Sequence, residues 1–391
     1  MQGCLFDGKP LVNELHFGGG TPTFFSISQL KSLLKVLRDN FCIADSLDLE
    51  QSIKVDPRTT TPATIRALAT MGFNQISLGV QDFDPAVQAA VNRVQAVSDT
   101  LDIIKVSKQS GFSSVTVYLV YGLPLQTELI FSETLDHIIT ARPDRVVTSC
   151  YLHDPVRFSA HSKIHLADLP NAKVRSDLQQ MSQSAFVSAG YIQIGSDEFV
   201  LPNDQLAKAA SAHHRHYNSQ GYSIHSDRDF IGIGMSAISR IGDIHCQNAK
   251  SIQSYQRMLD AGHFPVTQGM ILRTEDKLRG EIIEAIMCDG EIPVDKIEKK
   301  YGISFNDHFA SALHKLRPMV DKGLIDLSQK RLRIRSEGRP LLQDIAVAFD
   351  EHLTPSETAH CSAQEKIIPK LKRADLATRP PLSTAYALEM Q

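Results

Sequence analysis

The sequence predicts an α/β protein: a parallel sheet of βα units, closed into a barrel or left open, followed by a helical, winged-helix-like C-terminal domain. Three observations carry that prediction. Short strands alternate with amphipathic helices through the first half of the chain, glycine-rich or polar stretches follow the strands, and a run of helices with one short hairpin lies beyond residue 274. Repeated βα units imply a parallel sheet, and ligands of such folds sit at the C-terminal ends of the strands. The residues just after each strand are therefore the candidates for function.

Taken in order, residues 12–17 read as a strand running into Gly18-Gly19-Gly20, where glycines allow positive φ or close backbone approach to a ligand. A helix over 28–40 presents Leu30, Leu33, Leu34 and Leu37 on one face. A strand over 48–55 precedes a helix over 62–71, with Thr61 as N-cap and Pro62 in its first turn. Then come a strand over 75–79, helices over 85–91 and 97–110, a strand over 115–119, a helix over 128–142 and a strand over 145–151. Gly111 closes the second of those helices. Residues 171–189 are helical, and 213–242 form a His/Asn/Gly-rich loop segment. Helices over 277–287, 294–301 and 305–322 and a hairpin over 324–334 complete the second unit. The predicted domains are residues 1–250, 251–353 and a tail, 354–391, expected to lack fixed structure because its apolar periodicity fades.

A length of 391 residues exceeds one ordinary core, in keeping with two units. The net charge of −3 gives no electrostatic footprint for nucleic acid or an anionic membrane surface. No apolar run approaches the ~20 residues of a membrane helix, and no signal peptide leads the chain. A cytoplasmic monomer without nucleic-acid or membrane partners is expected. The six cysteines, at positions 4, 42, 150, 246, 288 and 361, form no CxxC or CxxxCxxC spacing, so no metal ligands are assigned. The densest histidine group, His213, His214 and His216, reads as a polar loop that could also invite haem ligation.

The strand ends read Gly18-Gly19-Gly20-Thr21-Pro22-Thr23, then Ser52-Ile53-Lys54-Val55-Asp56-Pro57, then Ser77-Leu78-Gly79-Val80-Gln81-Asp82-Phe83 and Val91-Asn92-Arg93. They continue with Val120-Tyr121-Gly122-Leu123-Pro124 and Ile231-Gly232-Ile233-Gly234-Met235-Ser236-Ala237-Ile238-Ser239. This ordered series resembles the radical S-adenosylmethionine family of oxygen-independent coproporphyrinogen III oxidases. Tyr217-Asn218-Ser219-Gln220-Gly221-Tyr222 and the absence of Trp are similar to the oxidase branch rather than the related haem chaperones. The resemblance implies a partial barrel that binds S-adenosylmethionine beside a [4Fe–4S] cluster. It also implies a tetrapyrrole partner, coproporphyrinogen III, two of whose propionates become vinyls in haem biosynthesis.

Carried over by position, Gly19, Gly20 and Thr21 would lie against the methionine part of the cofactor. Gln81 and Arg93 would hydrogen-bond it, and Gln220 and Ile238 would belong to the second half of the site. Judged as residues alone, Arg93 also suits a solvated helix end, Gln81 a turn and Ile238 a core position. The family's CxxxCxxC would precede the glycine run by about one βα unit, whereas Gly18 follows only 17 residues. The expectation is thus a barrel lacking its first βα unit, which would leave a long sheet edge exposed. Lys54 stands where the family has Glu, Tyr118 where it has Asp, and Glu198 where it has His. An ammonium accepts no hydrogen bond and repels a sulfonium. The expected function is a catalytically impaired or inactive relative of the oxidases, with a non-enzymatic tetrapyrrole-binding or regulatory paralogue as the alternative.

Overall fold

The computed structural model describes residues 8–43, 49–156, 158–218, 221–225, 229–352 and 386–390. The chain opens with β1 (Leu11–Phe17), α1 (Ile27–Asn40), the two-residue β2 (Cys42–Ile43) and β3 (Glu50–Val55). It continues through α2 (Pro62–Thr70), β4 (Gln75–Gln81), α3 (Pro85–Ala90), α4 (Val97–Gln109), β5 (Ser114–Tyr121), α5 (Glu128–Ala141) and β6 (Arg145–Cys150). Local chemistry sets the helix starts. Ser26 and Gln29 form a reciprocal capping box on α1, and the Thr61 hydroxyl accepts from the Thr64 amide on α2. Asp84 accepts from the Ala86 and Val87 amides at the head of α3, ahead of Pro85 in its first turn.

β1, β3, β4, β5 and β6 pair in parallel, in that order. Their alternate residues, among them Leu15, Ile53, Leu78, Val117 and Val146, are fully buried beneath Leu34, Ile65, Ile103, Phe131 and Leu178 of the covering helices. α6 (Ala172–Ser188), β7 (Ile192–Ile194), β8 (Glu198–Val200) and α7 (Gln205–Ser211) follow, with β8 antiparallel to β6.

Three parts of the structure differ from the sequence-based expectation. First, the 213–242 segment carries strands rather than loop: β9 (His216–Asn218), β10 (Gly221–Ser223), β11 (Asp229–Ile233) and β12 (Ile238–Ile241). β9 and β10 form a hairpin in which the Tyr217 and Tyr222 rings pack with centroids 5.0 Å apart. Cross-strand aromatic pairing of this kind has no long periodic signature. The meander runs on through β13 (Ile244–Asn248), α8 (Ile252–Asp260) and β14 (Val266–Ile271), so the sheet extends past residue 250.

Second, the tail expected to lack structure contributes a strand, β18, over 386–390. The intervening elements form the second unit: α9 (Thr274–Asp289), β15 (Glu291–Ile292), α10 (Val294–Tyr301), α11 (Phe305–His308), α12 (Ala310–Asp321), β16 (Ile325–Leu327), β17 (Leu332–Ile334) and α13 (Leu342–Val347). β18 (Tyr386–Met390) pairs in parallel with β1 on one side and β11 on the other, so β1 presents no open edge there. Residues 354–385 and 391 of that tail lie outside the described residues.

Third, the helix expected over 305–322 is interrupted at Phe309, whose ring packs against Phe305 and Phe349 with centroids 5.0 and 5.5 Å away. Burial of this aromatic cluster outweighs helix continuity. β15, β17 and β16 make a small antiparallel sheet against this helical core.

Candidate functional site

In a strand, successive side chains point to opposite faces. On the face of the parallel sheet away from its helices, the residues are half-buried and, apart from Gly79 and Val120, polar. β3 places Glu50, Ser52 and Lys54 there, β4 places Gln75, Ser77, Gly79 and Gln81, and β5 places Thr116, Tyr118 and Val120. Parallel strands covered on both faces normally read as continuous apolar runs. The polar alternation therefore marks this inner face as the working face.

Gly18 is buried, and a Cβ there would lie 2.5 Å from His16 Nε2. Gly19 takes φ +85°, while a Cβ on Gly20 would meet nothing within 4 Å. The steric demand for glycine thus falls on Gly18 and Gly19, and Gly20 is exposed together with Thr21. Gln81 adopts φ +68° at the bulged end of β4, a left-handed conformation unusual for a non-glycine residue. Arg93 turns inward: its Nη2 donates to the Gly79 carbonyl at 2.7 Å and lies 3.5 Å from Asp56 Oδ1. Its Nε is buried without a hydrogen bond. Ile238 opens β12, and its carbonyl lies where a Cβ on Gly232 would clash, which explains glycine at that position of β11. Gln220 lies outside the described residues.

The structure brings together the two departed positions. Lys54 Nζ sits 4.9 Å from the centroid of the Tyr118 ring, one strand removed across β4. An ammonium over an aromatic face is attracted by the ring quadrupole. Burial lowers the Lys54 pKa, and the nearby Arg93 guanidinium lowers it further. Burial also pushes the Tyr118 phenol up to about 12, with the Glu198 charge acting in the same direction, so it stays protonated. Beside them, His16 Nδ1 and Ser52 Oγ are 2.7 Å apart. Burial and then the Lys54 charge lower the His16 pKa to about 4, leaving the imidazole neutral. Glu198 is raised to about 7 and Asp197 to about 6, both chiefly by burial. Burial works against the Asp56 charge, yet Arg58 and Arg93 hold its carboxyl below the ordinary range, so Asp56 is the ionised carboxylate beside Arg93.

The cofactors implied by the resemblance can be set against these residues. The described cysteines lie in four separate elements: Cys42 in β2, Cys150 at the end of β6, Cys246 in β13 and Cys288 in α9. Among the described residues no three thiols converge, so these side chains do not fit a three-cysteine [4Fe–4S] site. Lys54 brings a cation to the inner face, where the resemblance implies a hydrogen-bond-accepting carboxylate for S-adenosylmethionine, so this residue does not fit that positively charged cofactor.

The histidines at 213 and 216 are engaged elsewhere. His213 Nδ1 lies 3.3 Å from Asp289, and His216 Nδ1 lies 2.8 Å from Glu284, tying the hairpin region to α9. One grouping escapes the sequence-based reading, which assigned no metal ligands: Glu14, Glu50 and His225 converge on the inner face. The alternation Glu50, Ser52, Lys54 was the available signal for one member. Nothing local points to His225.

Residues 6–138 match the Radical SAM superfamily, and residues 272–341 match the HemN C-terminal domain. The sequence is 39% identical to the oxygen-independent coproporphyrinogen III oxidase of Pseudomonas aeruginosa over 345 residues, 88% of this chain and 75% of that protein. It is 38% identical to the protein of that name from Escherichia coli K12, covering 89% of this chain and 76% of that one. The solved structure of E. coli coproporphyrinogen III oxidase (HemN), described as a radical SAM enzyme, superposes with a TM-score of 0.83 at 37% identity. That match covers 88% of this chain and 79% of the other.

Proposed function

This chain belongs to the family of oxygen-independent coproporphyrinogen III oxidases, whose cofactors are S-adenosylmethionine and a [4Fe–4S] cluster, and from that premise we propose that it binds a carboxylate-rich tetrapyrrole of the coproporphyrinogen class without decarboxylating it. The observation that carries this reading is the Lys54 ammonium over the Tyr118 ring, with Arg93 close by. The Lys54 cation on this half-buried face disfavours a sulfonium and favours a carboxylate, and Arg93, although 3.5 Å from Asp56, keeps its buried Nε without a protein partner. A propionate-bearing macrocycle supplies both the carboxylates and a broad apolar surface. Exposed Phe24 and Phe25 beyond β1 and Leu125 beyond β5 offer apolar contacts at the strand ends for such a ring. A cytoplasmic monomer is the working form of this reading.

The test uses the full chain and two ligands. Coproporphyrin III, the air-stable oxidised form, is expected to give a saturable Soret shift, weakened about tenfold by Lys54→Met, as the loss of ~1.4 kcal/mol would produce. S-adenosylmethionine is expected to give no calorimetric heat with the unaltered protein and to gain binding in the double variant Lys54→Glu with Tyr118→Asp. A flat coproporphyrin titration, or S-adenosylmethionine binding undiminished by the native Lys54, would overturn the proposal.

A further inference from the structure

Where β4 and β5 end against α3 and α5, five polar side chains are buried together. Asp82, Gln88, Gln95, Gln126 and Thr134 are each no more than 7% exposed. Asp82 Oδ1 accepts from Thr134 Oγ1 at 3.0 Å and from the Asp84 amide at 2.7 Å, while Oδ2 accepts from Gln126 Nε2 at 2.5 Å. Gln126 Oε1 in turn accepts from the Gly122 and Leu123 amides, and its Nε2 also donates to the Val120 carbonyl. Gln88 and Gln95 clasp each other: Gln88 Nε2 donates to the Gln95 carbonyl, and the Gln95 amide donates to Gln88 Oε1. The pair is tied to the end of β4 by bonds from Gln88 Nε2 to the Asp82 carbonyl and from Gln95 Nε2 to the Val80 carbonyl.

Backbone strain shows what this network holds. Three non-glycine residues with positive φ flank it: Gln81 at +68°, Asn92 at +53° and Leu125 at +65°. Asn tolerates the left-handed region, but Gln and Leu persist there only where the surroundings over-determine them. Gln81 directly precedes Asp82, Leu125 directly precedes Gln126, and Asn92 lies between Gln88 and Gln95. Arg93, next to Asn92, donates its amide to the Gln88 carbonyl and its Nη2 to the Gly79 carbonyl of β4. Buried polar pairs gain little net stability over apolar groups of the same shape. A network with nearly every atom paired instead fixes one geometry, and of these five side chains only Gln95 Oε1 lacks a hydrogen bond.

We propose that Asp82, Gln88, Gln95, Gln126 and Thr134 are positioning residues, which hold Gln81, Arg93 and the Leu125 turn as one rigid rim across the ends of β4 and β5. A ligand is then read by the fixed placement of a guanidinium, which binds carboxylate, relative to the exposed Leu125 side chain, which offers apolar contact. That combination fits a macrocycle with carboxylates at its edge, and this choice of ligand rests on the tetrapyrrole reading. The rim itself does not. Preorganisation of this kind raises affinity by removing the cost of ordering the site at binding.

Hydrogen exchange of the ligand-free full chain, followed by mass spectrometry, tests the rim without any ligand. Gln126→Met is expected to speed exchange roughly fivefold, as the loss of an ordinary hydrogen bond would, over residues 122–126 and also over 81–84. The second segment is hydrogen-bonded to Gln126 only through Asp82. Thr134→Val gives the same comparison if Gln126→Met fails to fold. Ile345→Val, a buried change in the second unit, is expected to leave both segments as they are. Coproporphyrin III is expected to bind Gln126→Met roughly fivefold more weakly, and Ile345→Val as tightly as the unaltered chain. Faster exchange confined to 122–126, or unweakened coproporphyrin binding by a variant with faster exchange in both segments, would overturn the proposal. Coupled exchange with a flat coproporphyrin titration of the unaltered chain would uphold the rim and reject the tetrapyrrole as its ligand.

Discussion

At the scale of single residues, Gly18 shows how one missing atom shapes the inner face. An added Cβ would press on His16 Nε2 at 2.5 Å and on Cδ2 at 2.9 Å, while the other ring nitrogen is held by Ser52. Gly18→Ala is therefore expected to cost about 1–3 kcal/mol, the usual range for overpacking a fitted site. Gly20→Ala has open space around its new methyl and is expected to be close to neutral. Urea denaturation checks both: the midpoint should fall for the first with an unchanged m-value and stay put for the second. Equal midpoints would show that His16 moves aside without cost. Lys54 and Tyr118 illustrate the same scale differently. Each alone looks like the loss of a carboxylate, but together they make one cation–aromatic contact.

At the scale of elements, β18 is the most consequential. It lies between β1 and β11, with Leu388 aligned to Leu15 on one side and to Ile231 on the other. Both neighbours would otherwise present unpaired backbone groups, the arrangement that invites association between chains. Removing residues 386–391 is expected to lower the melting temperature by at least about 5 °C, the shift that a ~2 kcal/mol loss produces in a domain of this size. Light scattering should then show association of the shortened chain. A melting curve and particle size matching the full chain would rule out a stabilising role for the strand. The second unit is held differently: Phe305, Phe309 and Phe349 gather three segments of sequence into one cluster, at the expense of an unbroken helix.

At the scale of the whole molecule, the buried titratable groups predict how stability responds to acid. His16 has a pKa of about 4 when folded, against an ordinary 6.5. Between these values the unfolded chain binds more protons, so this group's contribution is complete above pH 6.5 and is lost as pH falls towards 4. Glu198, at about 7 when folded against an ordinary 4.5, acts with the opposite sign: its contribution is complete below 4.5 and is lost as pH rises through 7. The two slopes oppose each other in the unaltered protein. His16→Asn is expected to reduce the loss of stability between pH 7 and pH 4.5 by about 2 kcal/mol, and Glu198→Gln should steepen that loss. Denaturant titrations at the two pH values measure both, and a His16→Asn profile parallel to the unaltered one would contradict the buried, neutral imidazole.

What the sequence determined by itself is local or ordered along the chain. The strand–helix alternation, the Ser26, Thr61 and Asp84 caps, the glycine turn after β1 and the succession of strand-end motifs all depend on neighbours within a few residues. The family was legible for the same reason, because an ordered series of short motifs survives in one dimension. Tertiary structure alone decided which side chains meet. The Lys54–Tyr118 contact spans an intervening strand, β18 comes from the far end of the chain to lie beside β1, and His225 reaches glutamates on two distant strands. Strand order and register bring such residues together, and neither is encoded by the spacing within any one segment.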